Sequence, residues 1–423
     1  KQTMFRSIYT AAFITLLLLL SFTTYAQSML DSIEEATVKP SHWYDKFTVS
    51  SYGVMNYNNY NWQLLPQKRN DIEFERAVLE LSYRPSKKWS FNTELEIEAG
   101  GTGVAIEFDP LEEFGEYEYE VEKGGEIWLE QFNFKYDFSP NFNISFGRLK
   151  VPFGLIGFLD EPTEYHTTNV SDMENTILPT HWTEYGVMLN GRFGKNWVWH
   201  AGIVNGLDGS AFNSANFIKR GNQRRFEATN VNDIAGVARL DYEFGYEKFI
   251  GISGYYGNTR NNRPKPDLQF DANLAMIEAH VVYELEPFEF SGIVLYGALQ
   301  NSEAVSIANR NLSNNLNVKR TPVGKSAMGW SAEVAFEPFD LLKKHPNGEL
   351  YFFLRVDSYD TQFSTQGLIF DNPRWDRKTY TGGINYMPNT WLVFKTQYAR
   401  QYLGIVENKI QDTFSLGFGY YIK

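Results

Sequence analysis

Apolar and polar residues alternate through most of the chain beyond residue 45. "WSFNTELEIE" sets Trp89, Phe91, Leu95 and Ile97 against Ser90, Asn92, Glu94 and Glu96. "ARLDYEF" sets Leu240, Tyr242 and Phe244 against Arg239, Asp241 and Glu243; "DTFSLGFGYYI" repeats the pattern with Phe414, Leu416, Phe418 and Tyr420. A helix would scatter these residues around its axis, whereas a strand puts the apolar ones on one face and the polar ones on the other. Such segments number about sixteen. The first eight fall at 46–58, 73–84, 88–99, 125–137, 141–151, 182–193, 196–206 and 231–244. The others fall at 248–258, 271–285, 287–299, 325–337, 349–360, 377–387, 390–402 and 408–422. Most have the roughly ten residues that a tilted strand needs to cross a bilayer, about twice the usual soluble length.

The connections between segments alternate too. After even-numbered segments they are short ("RPSK", "SPN", "GK", "GYE", "MPN" and a turn at Glu286-Pro287), and only 338–348 is longer. After odd-numbered segments they are mostly long: 100–124, 153–180, 207–230 and 301–324. This sorting predicts an all-β fold, a transmembrane antiparallel β-barrel with tight periplasmic turns and extended outer loops. Aromatic residues flank the short turns in pairs: Tyr83 and Trp89, Phe138 and Phe142, Phe193 and Trp197, Phe244 and Phe249, Tyr386 and Trp391. They are expected to form the periplasmic aromatic girdle.

Composition agrees. Aromatics make up 16% of residues, yet mean hydropathy is −0.38, as for a barrel whose lipid face takes only every second residue. The apolar run "AAFITLLLLLSF", preceded by Lys1 and Arg6 and followed by "TTYAQS", predicts a secretory signal peptide over 1–26. A periplasmic N-terminal segment over 27–45 and a barrel over 46–423 would follow. Cys is absent, so disulfides play no part, and a formal charge of −12 disfavours nucleic acid as a partner.

Lipid offers a backbone amide no hydrogen-bond partner, so the sheet must close, and at this strand number closure leaves a lumen wider than side chains fill. Parity places Glu80, Glu94, Glu96, Lys135, Glu184, Arg192, Arg239, Asp241, Glu278, Glu333, Arg355, Asp357 and Lys395 on the inner face. Together they predict a hydrated, mixed-charge, acid-leaning conduit.

"GRLKVPFGL" (147–155) resembles the Gly-x-x-Lys-Val-Pro-Phe-Gly stretch of the phosphate-selective porin O and P family. "DEPTEYHTTNV" and "ILPTHWTEYGV" are similar to the loop and next strand in porins of that kind from Bacteroidota-type bacteria. The resemblance covers 45–423 as a barrel and is specific over 126–193. It implies a sixteen-stranded, usually trimeric channel that passes small hydrophilic solutes passively, with anions or phosphate among the candidates. The inward Arg and Lys ladder by which such porins select phosphate is not legible here.

In sixteen-stranded porins the third outer loop folds inward. Here that loop, 153–180, carries Asp160, Glu161, Glu164, Asp172 and Glu174, with no Lys or Arg up to Leu178. Pro152 cannot donate to a sheet ladder, so strand pairing stops there. Two placements of Arg148 and Lys150 stay open. Simple parity puts both beside Phe142, Ile144 and Phe146, facing lipid, whereas a bulge at Gly147 turns both into the lumen opposite the acidic loop. Lys219, Arg220, Arg224 and Arg225, with Arg310, Lys319 and Arg320, lie in the fourth and sixth outer loops. There they would steer anions, bridge lipopolysaccharide or simply be solvated.

No nucleophile motif accompanies His166, His181, His200 or His280, so an enzyme is not expected; an outer-membrane hydrolase is the least favoured class. The second outer loop carries eight acids from Glu107 to Glu122. Such oxygen-rich segments can hold Ca²⁺, although the spacing follows a strand's period and suggests a protruding hairpin. No other cofactor is expected. A loop-occluded barrel, serving as an adhesin or as a subunit of an outer-membrane assembly, remains the alternative to a channel.

Overall fold

The computed structural model describes residues 42–109, 118–223, 228–245, 248–312, 320–342 and 348–423, with side chains except over 102–124. The expected signal peptide and nearly all of 27–45 lie outside the described residues; Trp43–Lys46 form a short 3₁₀ turn.

Sixteen strands follow. They are β1 (Phe47–Trp62), β2 (Asp71–Tyr83), β3 (Trp89–Asp109), β4 (Glu118–Ser139), β5 (Phe142–Lys150), β6 (Thr183–Phe193), β7 (Trp197–Asn205) and β8 (Ile234–Gly245). Then come β9 (Lys248–Asn258), β10 (Asn273–Leu285), β11 (Phe288–Leu299), β12 (Ser326–Phe336), β13 (Glu349–Ser364), β14 (Asp376–Asn389), β15 (Leu392–Leu403) and β16 (Ile410–Ile422). Each pairs antiparallel with its neighbours, and β1 pairs β16 from Ser51↔Ile422 to Trp62↔Gln411, closing the barrel. Closure gives every ladder group a partner and removes the sheet edge. Departures from the predicted segments lie chiefly at the long-loop ends. Strands β3 and β4 run on together as a hairpin to Asp109 and Glu118, so much of the acidic second loop is strand.

The outer face shows why the barrel needs lipid. Phe414, Leu416 and Phe418 are exposed, while Ser415 between them is buried inward. Phe352 and Leu354 on β13, and Ile250 and Ile252 on β9, continue the apolar belt. Rings flank the short turns as expected: Phe138 stacks on Phe142 at 5.2 Å and Phe193 on Trp197 at 5.7 Å. Phe249 is an exception. Ile250 and Ile252 take the outer positions, so alternation turns Phe249 inward, where it meets His280 at 5.6 Å.

The interior is not a uniformly wet tube. The third loop, with helix α1 (Asp172–Ile177), and the fourth loop, between β7 and β8, both fold inward. Met173 and Ile177 of α1, with Phe212, Phe217 and Ile218 of the fourth loop, are fully buried against Leu274, Met276, Ile293 and Leu295 of the wall. Burying each such side chain contributes about 1.5–3 kcal/mol. Helix α2 (Ser302–Arg310) of the sixth loop locks this lid. Asn309 donates to the carbonyls of Gly209 and Phe212 at 3.1 Å each, and accepts from Arg263 of the fifth loop at 2.7 Å. The expected broad hydrated lumen is therefore narrowed: loops pack an apolar core on the β6–β12 side.

Candidate pore constriction

The third loop leaves β5 at Lys150 and crosses to the opposite wall. Gly147, at φ +124°, has its α-carbon so close to β4 that a Cβ would meet Phe132 O at 2.3 Å. The ladder keeps its register from Arg148 to Lys150, yet the two cations part company, which neither sequence-based placement anticipated. Arg148 stays in the wall, 1% exposed, donating to Glu130 O and Thr183 Oγ1, with its guanidinium over the Trp128 and Tyr185 rings. Lys150 turns inward, its Nζ 2.8 Å from Asp160 and 3.6 Å from Glu94.

Asp160 is the first anchor of the loop. It pairs with Arg76 of β2 at 2.7 Å and with His181 at 3.0 Å, and it accepts from Tyr52 at 2.9 Å. Burial alone would raise its carboxyl, but Arg76, His181 and Lys150 hold it well below the usual carboxylate range. Loop acid and wall base thus touch directly, and no open transverse field lies between them. The backbone N–H groups of Asp160 and Glu161 donate to Glu164, which closes a local turn. Glu161 itself is half-buried, and burial raises its carboxyl.

Gly154 is held from both sides. Its carbonyl accepts from Arg239 at 2.7 Å, its N–H faces Glu278 at 3.4 Å, and at φ +83° a Cβ would meet Glu174 Oε1 at 2.7 Å. Glu174, 1% exposed, accepts from the N–H groups of Leu155 and Ile156. Burial raises its carboxyl to about 6 against those donors, and burial with nearby Asp357 raises Asp172 likewise to about 6.

Beyond Asp160 the loop is stitched to the far wall through its carbonyls. Lys395 donates to Tyr165 O and Thr167 O, Asn385 to His166 O, and Asn56 to Thr168 O. Arg355 donates to Thr167 Oγ1 at 3.0 Å and lies 3.3 Å from Glu333, which also meets His166 at 2.8 Å. Asp357 accepts from Ser171 at 2.7 Å. The structure thus brings Lys150, Asp160, Glu174, Arg239, Arg355 and Lys395 to one loop–wall seam. Glu184 is buried nearby with Asn205 and Trp182. Arg192 is not at the seam: it pairs with Glu243 at 2.6 Å, 40% exposed at the short-turn rim. Lys219 of the fourth loop points at α1, donating to Asn175 at 2.9 Å.

Sequence reasoning did not select Arg76, Asn56 or Asn385, nor His166 and His181 as anchors. Arg76 had one visible signal: a cation inside an otherwise alternating strand.

The seam divides the interior. On the long-loop side lies a cavity of 310 Å³ between the loop and β13–β16 with β1; on the short-turn side lie cavities of 380 and 120 Å³. Arg355 and Val170 line both the outer cavity and the smaller inner one. As for catalysis, both ring nitrogens of His280 face carboxylates, Asp241 at 2.8 Å and Glu278 at 2.9 Å, which occupies the positions a nucleophile would need. Among the described residues no group of three or more acidic or histidine side chains could hold a metal. The acidic side chains suggested for Ca²⁺ lie outside the described ones.

No family model matches the chain. An uncharacterised protein of Aquifex aeolicus (strain VF5) is 24% identical over 367 residues, covering 84% of this chain and 75% of its own. Among solved structures, the anion-selective porin from Comamonas acidovorans gives a TM-score of 0.52 at 9% identity, covering 89% of this chain and 100% of its own. The outer membrane channel DcaP of Acinetobacter baumannii gives 0.53 at 9%, over 89% and 97%. Salmonella typhi OmpF in complex with daunomycin gives 0.51 at 10%, over 89% and 97%. At these identities the likeness is one of fold. The chain has the barrel fold of outer-membrane porins, and with its apolar outer belt it is an integral outer-membrane protein.

Proposed function

We propose that the chain is a porin-type channel through which ions and small hydrophilic solutes diffuse passively, with no enzymatic step. The observation that carries this reading is the pair of cavities on opposite sides of the third loop that share Arg355 and Val170. On this reading solutes pass the third loop beside the Arg355 guanidinium. Anion or phosphate selectivity, implied by the "GRLKVPFGL" resemblance, has weaker support, because the acids at the seam are matched by paired bases. A homotrimer rests on the same resemblance alone, and contact with lipopolysaccharide on the outer-loop cations.

Reconstitution in planar bilayers tests the channel. Steady conductance steps are expected, with a reversal potential in a salt gradient that phosphate leaves unchanged. The apolar core under the fourth loop favours one other reading, a loop-occluded barrel serving as an adhesin or assembly subunit. Electrical silence of correctly folded protein would support that reading.

A further inference from the structure

We infer that the cavity on the long-loop side of the constriction is a binding subsite for neutral polyhydroxylated solutes, sugars and sugar alcohols. The inference deepens the channel reading and takes from it only that solutes reach this cavity.

Three observations support it. First, the charges cancel and most are already engaged. The lining contains two acids, Asp172 and Asp357, and two bases, Arg355 and Arg377. Asp357 is held by Ser171 and the Met173 N–H, and Arg355 by Glu333 and Thr167. Arg377 donates to Ala215 O at 2.7 Å and lies over the Tyr359 ring at 4.7 Å. A solute of either charge would meet a like charge as well as an opposite one, so the cavity selects neither sign.

Second, the remaining polar lining is of hydroxyl and carboxamide groups, which both donate and accept, as sugar hydroxyls do. Gln401 donates to Tyr359 and Thr379 at 3.2 Å each, and Gln397 accepts from the Thr168 N–H at 2.8 Å, so both amides are oriented. Gln411 and Thr381 are 8% and 7% exposed and line the cavity. Both side chains present hydrogen-bonding groups to the cavity, where a bound hydroxyl can replace water.

Third, the same wall carries rings. Tyr60 and Trp62 meet edge to face at 5.2 Å, with Lys68 Nζ over one face of each at 4.4 and 4.7 Å, and Tyr359, with Arg377 over it, is also in the lining. The ring surface that these cations leave uncovered gives the C–H faces of a sugar an apolar contact while the amides take its hydroxyls. The cavity volume of 310 Å³ falls within the range of about 300–1,000 Å³ usual for small-molecule sites.

The test is titration calorimetry of the full-length protein in detergent with maltose, and with inorganic phosphate and arginine as charged controls. Saturable maltose binding is expected, with no competition from either control. The double variant Gln411→Leu/Thr381→Val should weaken it about tenfold. Asn190→Leu, in a short-turn-side cavity, should leave it unchanged. If the double variant fails to fold, the single variants Thr381→Val and Gln411→Leu take its place, and each should weaken binding about threefold. Absent or non-saturable maltose binding, equal affinity in the double variant, or displacement by phosphate would overturn the inference. Maltose binding by a protein that does not conduct would refute the channel but leave the subsite standing. Conduction without maltose binding would do the reverse.

Discussion

Arg76 on β2 and Asp160 in the third loop form an ion pair at 2.7 Å, with side chains only 2% and 8% exposed. The pair ties the start of the loop to a strand that is remote in sequence, and Lys150 and His181 complete the shell around the carboxylate. Removing one partner of such a buried pair strands the other charge, at a cost of roughly 3–5 kcal/mol. Asp160→Asn should therefore loosen the loop while the barrel stays closed. The expected signature is larger, noisier single-channel current with a lowered unfolding midpoint; traces identical to those of the parent protein would refute the anchor.

Asp172 and Glu174 make loop docking pH-dependent. Both carboxyls are raised to about 6 in the folded loop, above the ordinary range near about 4. Between those two values the docked loop binds more protons than the released one, so its stability falls as pH rises through about 4 to 6 and is flat above. Asp357 and Glu278 oppose the charged forms, whereas Arg355 favours them. Conductance should be smaller and quieter near pH 5 than near pH 7.5, by the sign of that linkage. The double variant Asp172→Asn/Glu174→Gln should lose the difference.

Arg355 lines the cavities on both sides of the constriction. Arg355→Ala removes bulk and takes the guanidinium partner from Glu333 and Asp357. Conductance should rise and the reversal potential should move toward cation selectivity. A shift toward anions would show that the passage runs elsewhere.

Gly147 admits no side chain. At φ +124°, with Phe132 O 2.3 Å from an ideal Cβ, Gly147→Ala should cost about 1–3 kcal/mol of backbone strain. The loss should appear as a lower thermal midpoint of the purified barrel. Gly157, whose Cβ would meet nothing within 4 Å, should tolerate Ala.

Legibility followed locality. The sixteen strands and most of their inward residues could be read because lipid on one side imposes a period of two on each strand separately. Glu94, Arg239, Glu333, Arg355 and Lys395 all sit on the inner face that alternation assigned. The apolar filling of the interior was less visible, although a signal exists. "LAMI" (274–277) on β10 and "IVLY" (293–296) on β11 are apolar on both faces, the mark of strands covered on both sides. Arg148 and Lys150 could not be settled by counting. Gly147 adopts a conformation that period-two reasoning does not foresee, and beyond it one cation stays in the wall while the other turns inward.

The amino-acid sequence by itself determined the wall: where the strands lie, which face meets lipid, and that the sheet must close. Each follows from residues a few positions apart and from the solvent they face. What occupies the wall was decided only by tertiary structure. The bonds that carry the third loop across the lumen join residues as far apart as Lys395 and Tyr165, 230 positions along the chain. No local pattern encodes which carbonyl a distant amine will find; that depends on the closed barrel bringing β15 opposite the loop.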